Sequence, residues 1–103
     1  MIRHCVFLNF KDDVTEGDKQ KHYNQFAALK DIIPGQIADH YGPSASPEGM
    51  EHGFTDGFIM DFTDAAARDA YLAHPEHQKA GAALVEACKD GVSGILVFDL
   101  EIA

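Results

Sequence analysis

The chain of 103 residues carries 17 acidic against 8 basic side chains, a net charge of −9, with its Lys and Arg scattered instead of gathered in a stripe. That balance argues against nucleic acid and an anionic membrane as partners. Apolar residues make up 46% and charged residues 24%, which excludes a disordered chain, and the length suits one domain over residues 1–103, of a size that gains from burial against a partner subunit.

Ile2 to Phe10 is rich in β-branched and aromatic residues, with Ile2, His4, Val6, Leu8 and Phe10 on one face and Cys5 and Phe7 on the other. Both faces are apolar, so the spacing predicts a strand covered on both sides. Asn9 and Lys11 interrupt this run before a secretory leader develops, and no stretch approaches the ~20 apolar residues of a membrane span. We therefore expect a cytoplasmic location. Cys5 and Cys88 fall in apolar segments and read as reduced core thiols.

Thr15, with Asp18 three residues on, predicts a capped helix running to about Asp31, with Tyr23, Phe26, Leu29 and Ile33 along its buried stripe. Pro34 and Gly35 end it, and a second strand follows over Gln36 to Gly42. Gly42 to Gly53 reads as an irregular loop, either a solvated connector or a lid or oligomer contact. Phe54 to Phe62 alternates as a strand, with Phe54, Phe58, Met60 and Phe62 on one face. A short helix over Thr63 to Leu72 precedes a longer one from Pro75 to near Gly91, and Val92 to Ile102 forms the last strand.

The order β-α-β-β-α-β is the α+β, ferredoxin-like split unit: a four-stranded antiparallel sheet with helices on one face. The other sheet face is left bare with Cys5, Phe7, Ile59, Leu96 and Phe98 on it. A bare apolar face of that size marks an interface, which predicts a two-fold homodimer.

The segment Tyr71 to Gln78 (YLAHPEHQ) concentrates chemistry. Pro75 at the first helical position puts His74 at the N-cap and His77 in the first turn, where Gly81, Leu84 and Cys88 continue its stripe toward the sheet. An inward imidazole at the positive end of a helix stays neutral, and a neutral histidine can act as a general base. A boundary histidine satisfied by backbone is the structural alternative. His4, on a covered strand face, needs a polar partner, and the covered side of the fold can hold His4, Tyr71 and His77 together. His74 and His77 lack a third metal ligand. His22, His40 and His52 read as surface residues, and Asp12, Asp13, Asp61 and Asp64 as turn and cap residues. No phosphate-cradling loop or nucleophile elbow occurs.

The segments MIRHCVFLNFK, IIPG, SPEGMEHGFTDGFIMDF, YLAHPEHQ and ILVFDLE, in this order and spacing, resemble the stress-responsive A/B barrel (Dabb) family from end to end. The resemblance implies a dimeric α+β barrel and includes a cofactor-independent polyketide cyclase branch. It implies Tyr71 and His77 as the acid/base pair, His4 as the first-strand histidine of the pocket, no cofactor, and apolar walls at Val6, Leu8, Phe26, Phe58, Met60, Ile95 and Val97; the side chains offer no closed set of metal ligands, while members of the family can carry a structural magnesium held by backbone oxygens. Ala80 stands where that branch has a bulky aromatic, His22 replaces an apolar wall residue, and Asp56 replaces a histidine common in the family, so the cyclase substrate does not carry over. Two functions follow: cofactor-independent acid/base chemistry on a carbonyl substrate, by aldol-type cyclisation or isomerisation, or a non-catalytic dimeric stress-response module holding a small apolar or aromatic ligand.

Overall fold

The computed structural model describes residues 1–103. Four strands, β1 (Ile2–Leu8), β2 (Gln36–Pro43), β3 (Asp56–Phe62) and β4 (Ile95–Glu101), form one sheet in the order β2-β3-β1-β4. Every neighbouring pair is antiparallel. The three helices are α1 (Glu16–Ala27), α2 (Ala65–Ala73) and α3 (Pro75–Ala87), and short 3₁₀ turns at Ala28–Asp31 and Gly91–Gly94 lead from α1 toward β2 and from α3 into β4. This is the expected ferredoxin-like α+β fold.

The helix starts follow from their caps. Thr15 closes a complete capping box: its hydroxyl accepts from the Asp18 amide at 3.1 Å, and its own amide donates to the Asp18 carboxylate at 3.2 Å. Asp64 caps α2 by accepting from the Ala67 amide at 2.8 Å. His74 ends α2 and begins α3 at once; its extended backbone turns the chain, its Nδ1 accepts from the Glu76 amide at 3.1 Å, and Pro75 occupies the position where a missing N–H is harmless.

Strand alternation sorts the core. Ile2, Val6 and Leu8 of β1 and Phe58, Met60 and Phe62 of β3 pack under the helices with Tyr23, Phe26, Leu29, Ile33, Tyr71, Leu84 and Cys88. Cys5 and Cys88 are buried and free. On the opposite face no helix covers Phe7, Leu96, Phe98 or Leu100, all exposed, with Phe98 at 54%. The segment from Ser44 to Thr55 folds over one edge of that face, held by the Ser44 amide donating to the Thr55 carbonyl at 2.7 Å and the Ser44 hydroxyl donating to Glu51 at 2.6 Å. With Phe7, Ile59 and Leu96 it encloses a recess of about 640 Å³, to which Met50 and Phe54 also contribute.

Several boundaries differ from expectation. β4 begins at Ile95 because the Gly94 carbonyl accepts from the Asn9 amide at 2.8 Å, which holds the preceding residues in a turn. α3 stops at Ala87, since Cys88 turns to extended backbone and bridges to Phe10. Phe54 lies outside β3 because its amide donates back to Glu51 in a turn. Asp61 is no solvated turn residue: its register partner on the bare face is Arg3, whose Nε and Nη2 donate to its two oxygens at 2.9 and 3.1 Å, and it is buried. His22 is partly buried, its ring tilted against Phe10 at 6.2 Å.

Two glycines make opposite tests of this packing. A Cβ at Gly94 would lie 2.4 Å from the Lys89 carbonyl oxygen and 2.9 Å from Cys88 Cβ, whereas one at Gly81 inside α3 meets nothing within 4 Å. Gly81→Ala is therefore expected to stabilise the protein by about 0.5–1 kcal/mol through helix propensity, and Gly94→Ala to destabilise it. Urea unfolding of both variants checks this, and equal effects would contradict the packing.

Candidate functional site

The helices lie over the centre of the sheet and leave β4 largely uncovered on the same side; Val97, which points to that side, is 58% exposed. Between α2, α3 and the β1–β4 half of the sheet a cavity of about 720 Å³ results, within the range of small-molecule sites. Its walls include Val6, Phe26, Phe58, Ile95 and Val97, five of the seven apolar positions expected there. Leu8 and Met60 are not in the lining: both are fully buried in the core cluster. They share the correct strand face, but alternation reports the face and not where the helix layer stops. Leu72, Leu84 and Val85 complete the apolar wall, and Ala80 and His22 stand outside the lining.

The polar end of the cavity brings together the three residues singled out in the sequence. His4, Tyr71 and His77 all line it. The Tyr71 and His77 rings are 4.4 Å apart, centroid to centroid, and the His4 ring is 6.1 Å from that of Tyr71. Phe62 at 5.0 Å from Tyr71 and Phe26 at 6.1 Å from His77 brace the pair. Tyr71 is 0% exposed, and its hydroxyl has no hydrogen-bond partner; nor does the buried Nδ1 of His77. The Leu72 carbonyl comes near enough to favour the protonated His77 ring without closing a hydrogen bond of good geometry.

Burial is the main cause holding His77 below its ordinary pKa, with Leu72 acting against it and the charge of His4 adding to the depression. Burial alone raises the Tyr71 phenol above its ordinary value. The pair is thus a neutral imidazole beside a phenol that keeps its proton, which is the protonation that a base and a donor need at neutral pH.

His4 finds the partner its position demanded. It lies opposite Asp99 in the β1–β4 ladder, and its Nδ1 meets Asp99 Oδ1 at 2.6 Å; Arg68 Nη1 donates to the other carboxylate oxygen at 2.8 Å. Burial pushes the Asp99 carboxyl up, but the hydrogen bonds from Arg68 and His4 outweigh it and hold the group below its ordinary value. An ionised carboxylate only accepts, so Nδ1 of His4 carries the proton. Sequence reasoning missed Asp99 and Arg68. The available signal was Asp99 itself, a carboxylate in line with Ile95 and Val97.

His74, engaged as a helix cap, does not join the site, and no three His, Cys, Asp or Glu side chains cluster as metal ligands. Asp56 is buried and pairs with Lys19 Nζ at 3.1 Å, away from the cavity.

An antiparallel sheet with helices on one face, and a cavity between the two layers ending in a Tyr–His pair, places the protein in the ferredoxin-like α+β class. Within it the chain belongs to the Stress responsive A/B Barrel Domain family, which matches residues 2–102. It is similar to olivetolic acid cyclase of Cannabis sativa, 28% identical over 76 residues that cover 74% of this chain and 75% of the cyclase. It is also similar to a dimeric ferredoxin-like protein of unknown function from Jannaschia sp., 36% identical with 98% of each chain covered and a TM-score of 0.90. An Arabidopsis thaliana protein of solved structure is 25% identical, with 100% of this chain and 96% of that chain covered and a TM-score of 0.88.

The depressed His77 gives a pH dependence of defined sign. A histidine kept neutral in the fold but free to protonate when unfolded contributes stability that is full above its unfolded pKa of about 6.5 and is lost as pH falls below it. The melting temperature of the wild type is expected to fall between pH 7.5 and 5.5 relative to His77→Gln, which cannot titrate. A difference between the two that is constant with pH would contradict a buried neutral ring.

Proposed function

We propose that this protein is a cofactor-independent acid/base catalyst acting on a small carbonyl compound, in which His77 removes a proton next to the carbonyl, Tyr71 donates to the developing enolate oxygen, and His4 orients Tyr71 and the substrate. The observation that carries this reading is the pairing of two buried, unpartnered polar atoms, Tyr71 Oη and His77 Nδ1, on rings 4.4 Å apart in one apolar cavity. A ligand carbonyl supplies the acceptor that the phenol lacks. The bond to the α-hydrogen breaks, the proton moves to the neutral imidazole, and the electron pair moves into the enolate. Attack of the enolate carbon on a second carbonyl completes an aldol-type closure, and return of the proton to a different carbon completes an isomerisation. Each proton has a side chain to carry it, so the chemistry asks for no cofactor. The similarity to olivetolic acid cyclase supports the cyclase branch of this reading.

The same cavity without turnover is the competing function, a module that holds an apolar ligand. Solvent deuterium exchange at the α-carbon of simple ketones separates the two without knowledge of the natural substrate. The wild type is expected to accelerate exchange, and His77→Ala and Tyr71→Phe each to lose about 10²-fold or more of that rate while remaining folded. Ligand binding with no exchange would leave only the module.

The working form is a cytoplasmic homodimer. Support comes from the bare apolar sheet face bearing Phe7, Leu96, Phe98 and Leu100, and from the dimeric state of the similar Jannaschia protein. Two such faces packed sheet to sheet form the barrel. Sedimentation at micromolar concentration is expected to give a particle of twice the 11.3 kDa chain mass, and Phe98→Asp to release the monomer. A stable wild-type monomer would overturn the dimer.

A further inference from the structure

The charged groups around the cavity restrict what enters it. Three formally charged side chains line the wall: Arg68, Asp69 and Asp99. The one cation is already engaged on both sides, with Arg68 Nη1 donating to Asp99 Oδ2 and Arg68 Nε donating to Asp69 Oδ1, each at 2.8 Å. Nδ1 of His4 is likewise committed to Asp99 at 2.6 Å. The wall therefore carries two carboxylates against one guanidinium, whose Nε and Nη1 each already face a carboxylate. The two buried polar atoms of the wall left without a partner, Tyr71 Oη and His77 Nδ1, belong to groups that burial keeps neutral. The polar groups facing the cavity are Arg68, Asp69 and Tyr71 from α2, His77 and Gln78 from α3, His4 from β1 and Asp99 from β4, and neither a lysine nor a second arginine lines the space.

An anion entering this space loses its water and meets only a guanidinium already held by two carboxylates, whereas a neutral carbonyl loses little and meets the unpartnered phenol. We propose that the site selects uncharged carbonyl compounds, ketones or aldehydes on an apolar or aromatic skeleton, and excludes the corresponding carboxylates. This rests on the acid/base reading for the carbonyl, while the charge selection stands on the Arg68–Asp99–His4 geometry.

Phenylacetone and phenylacetate are a suitable pair, since they share a skeleton and differ by a methyl ketone in place of a carboxylate. Binding of each to the wild-type protein, followed by NMR titration, is expected to favour phenylacetone by roughly tenfold or more, a difference of about 1.4 kcal/mol. Asp99→Asn removes one wall carboxylate and weakens the hold on Arg68, so it is expected to raise phenylacetate affinity, a gain that general damage to the site would not produce. Equal or tighter binding of phenylacetate by the wild type, no gain in Asp99→Asn, or binding of neither compound would overturn the proposal. Preferential binding of phenylacetone without exchange of its α-hydrogens would uphold the charge selection and refute the acid/base function.

Discussion

A histidine on the covered face of a central strand is the constraint around which the site is arranged. His4 is 3% exposed on β1, and an unpaired polar group there would cost about 1–3 kcal/mol. The ladder resolves this by placing Asp99 directly opposite on β4. Asp99 in turn requires a countercharge, which α2 provides through Arg68 at 2.8 Å. One buried imidazole thereby ties the central strand, the edge strand and the second helix together at a single point.

That tie also accounts for an open cavity in a small domain. The helices pack over β1 and β3, where Leu8, Met60 and Phe62 are fully buried, and the layer ends before β4. Had the helix layer slid toward β4, apolar packing would have closed the gap and stripped water from Asp99. The polar bridge between α2 and β4 instead spans the gap at one end and leaves Ile95 and Val97 as its floor. The opposite sheet face follows a different rule, with apolar side chains at its exposed positions and the Arg3–Asp61 pair as its charged rim.

Much of this was legible in the chain because it rests on local periodicity. Thr15, Asp64 and Pro75 mark helix starts by their own hydrogen-bonding chemistry, and alternation in β1 and β3 assigns each residue to a face. Gly81 and Leu84 share the stripe of His77, so its inward direction was also readable. What escaped depends on contacts distant in sequence. Asp61 reads as a turn residue until β1 is laid beside β3 and Arg3 appears opposite it. Arg68 and Asp99 are 31 residues apart, and no local pattern links them. Leu8 and Met60 differ from Val6 and Phe58 only in how far the helix layer extends, a property of packing that strand alternation does not contain.

Satisfied and orphaned polar groups meet at the polar end of the cavity. His4, Asp99 and Arg68 satisfy one another, as buried polar groups do in a structure optimised for stability. Tyr71 Oη and His77 Nδ1 do not. A phenylalanine at position 71 would keep the contacts with Phe62 and remove the orphan hydroxyl, and an apolar residue at 77 would suit the stripe of Leu84 and Ala80. Neither unsatisfied atom contributes to holding the fold, and each carries the cost of desolvation without a partner. Burial confers something on them that stability does not use. It keeps the imidazole unprotonated and the phenol protonated, side by side at the end of a largely apolar cavity. Tyr23 Oη and the Gln36 amide are orphaned as well, but neither residue lines the cavity, so it is at Tyr71 and His77 that orphaned polar atoms border a space open to a ligand.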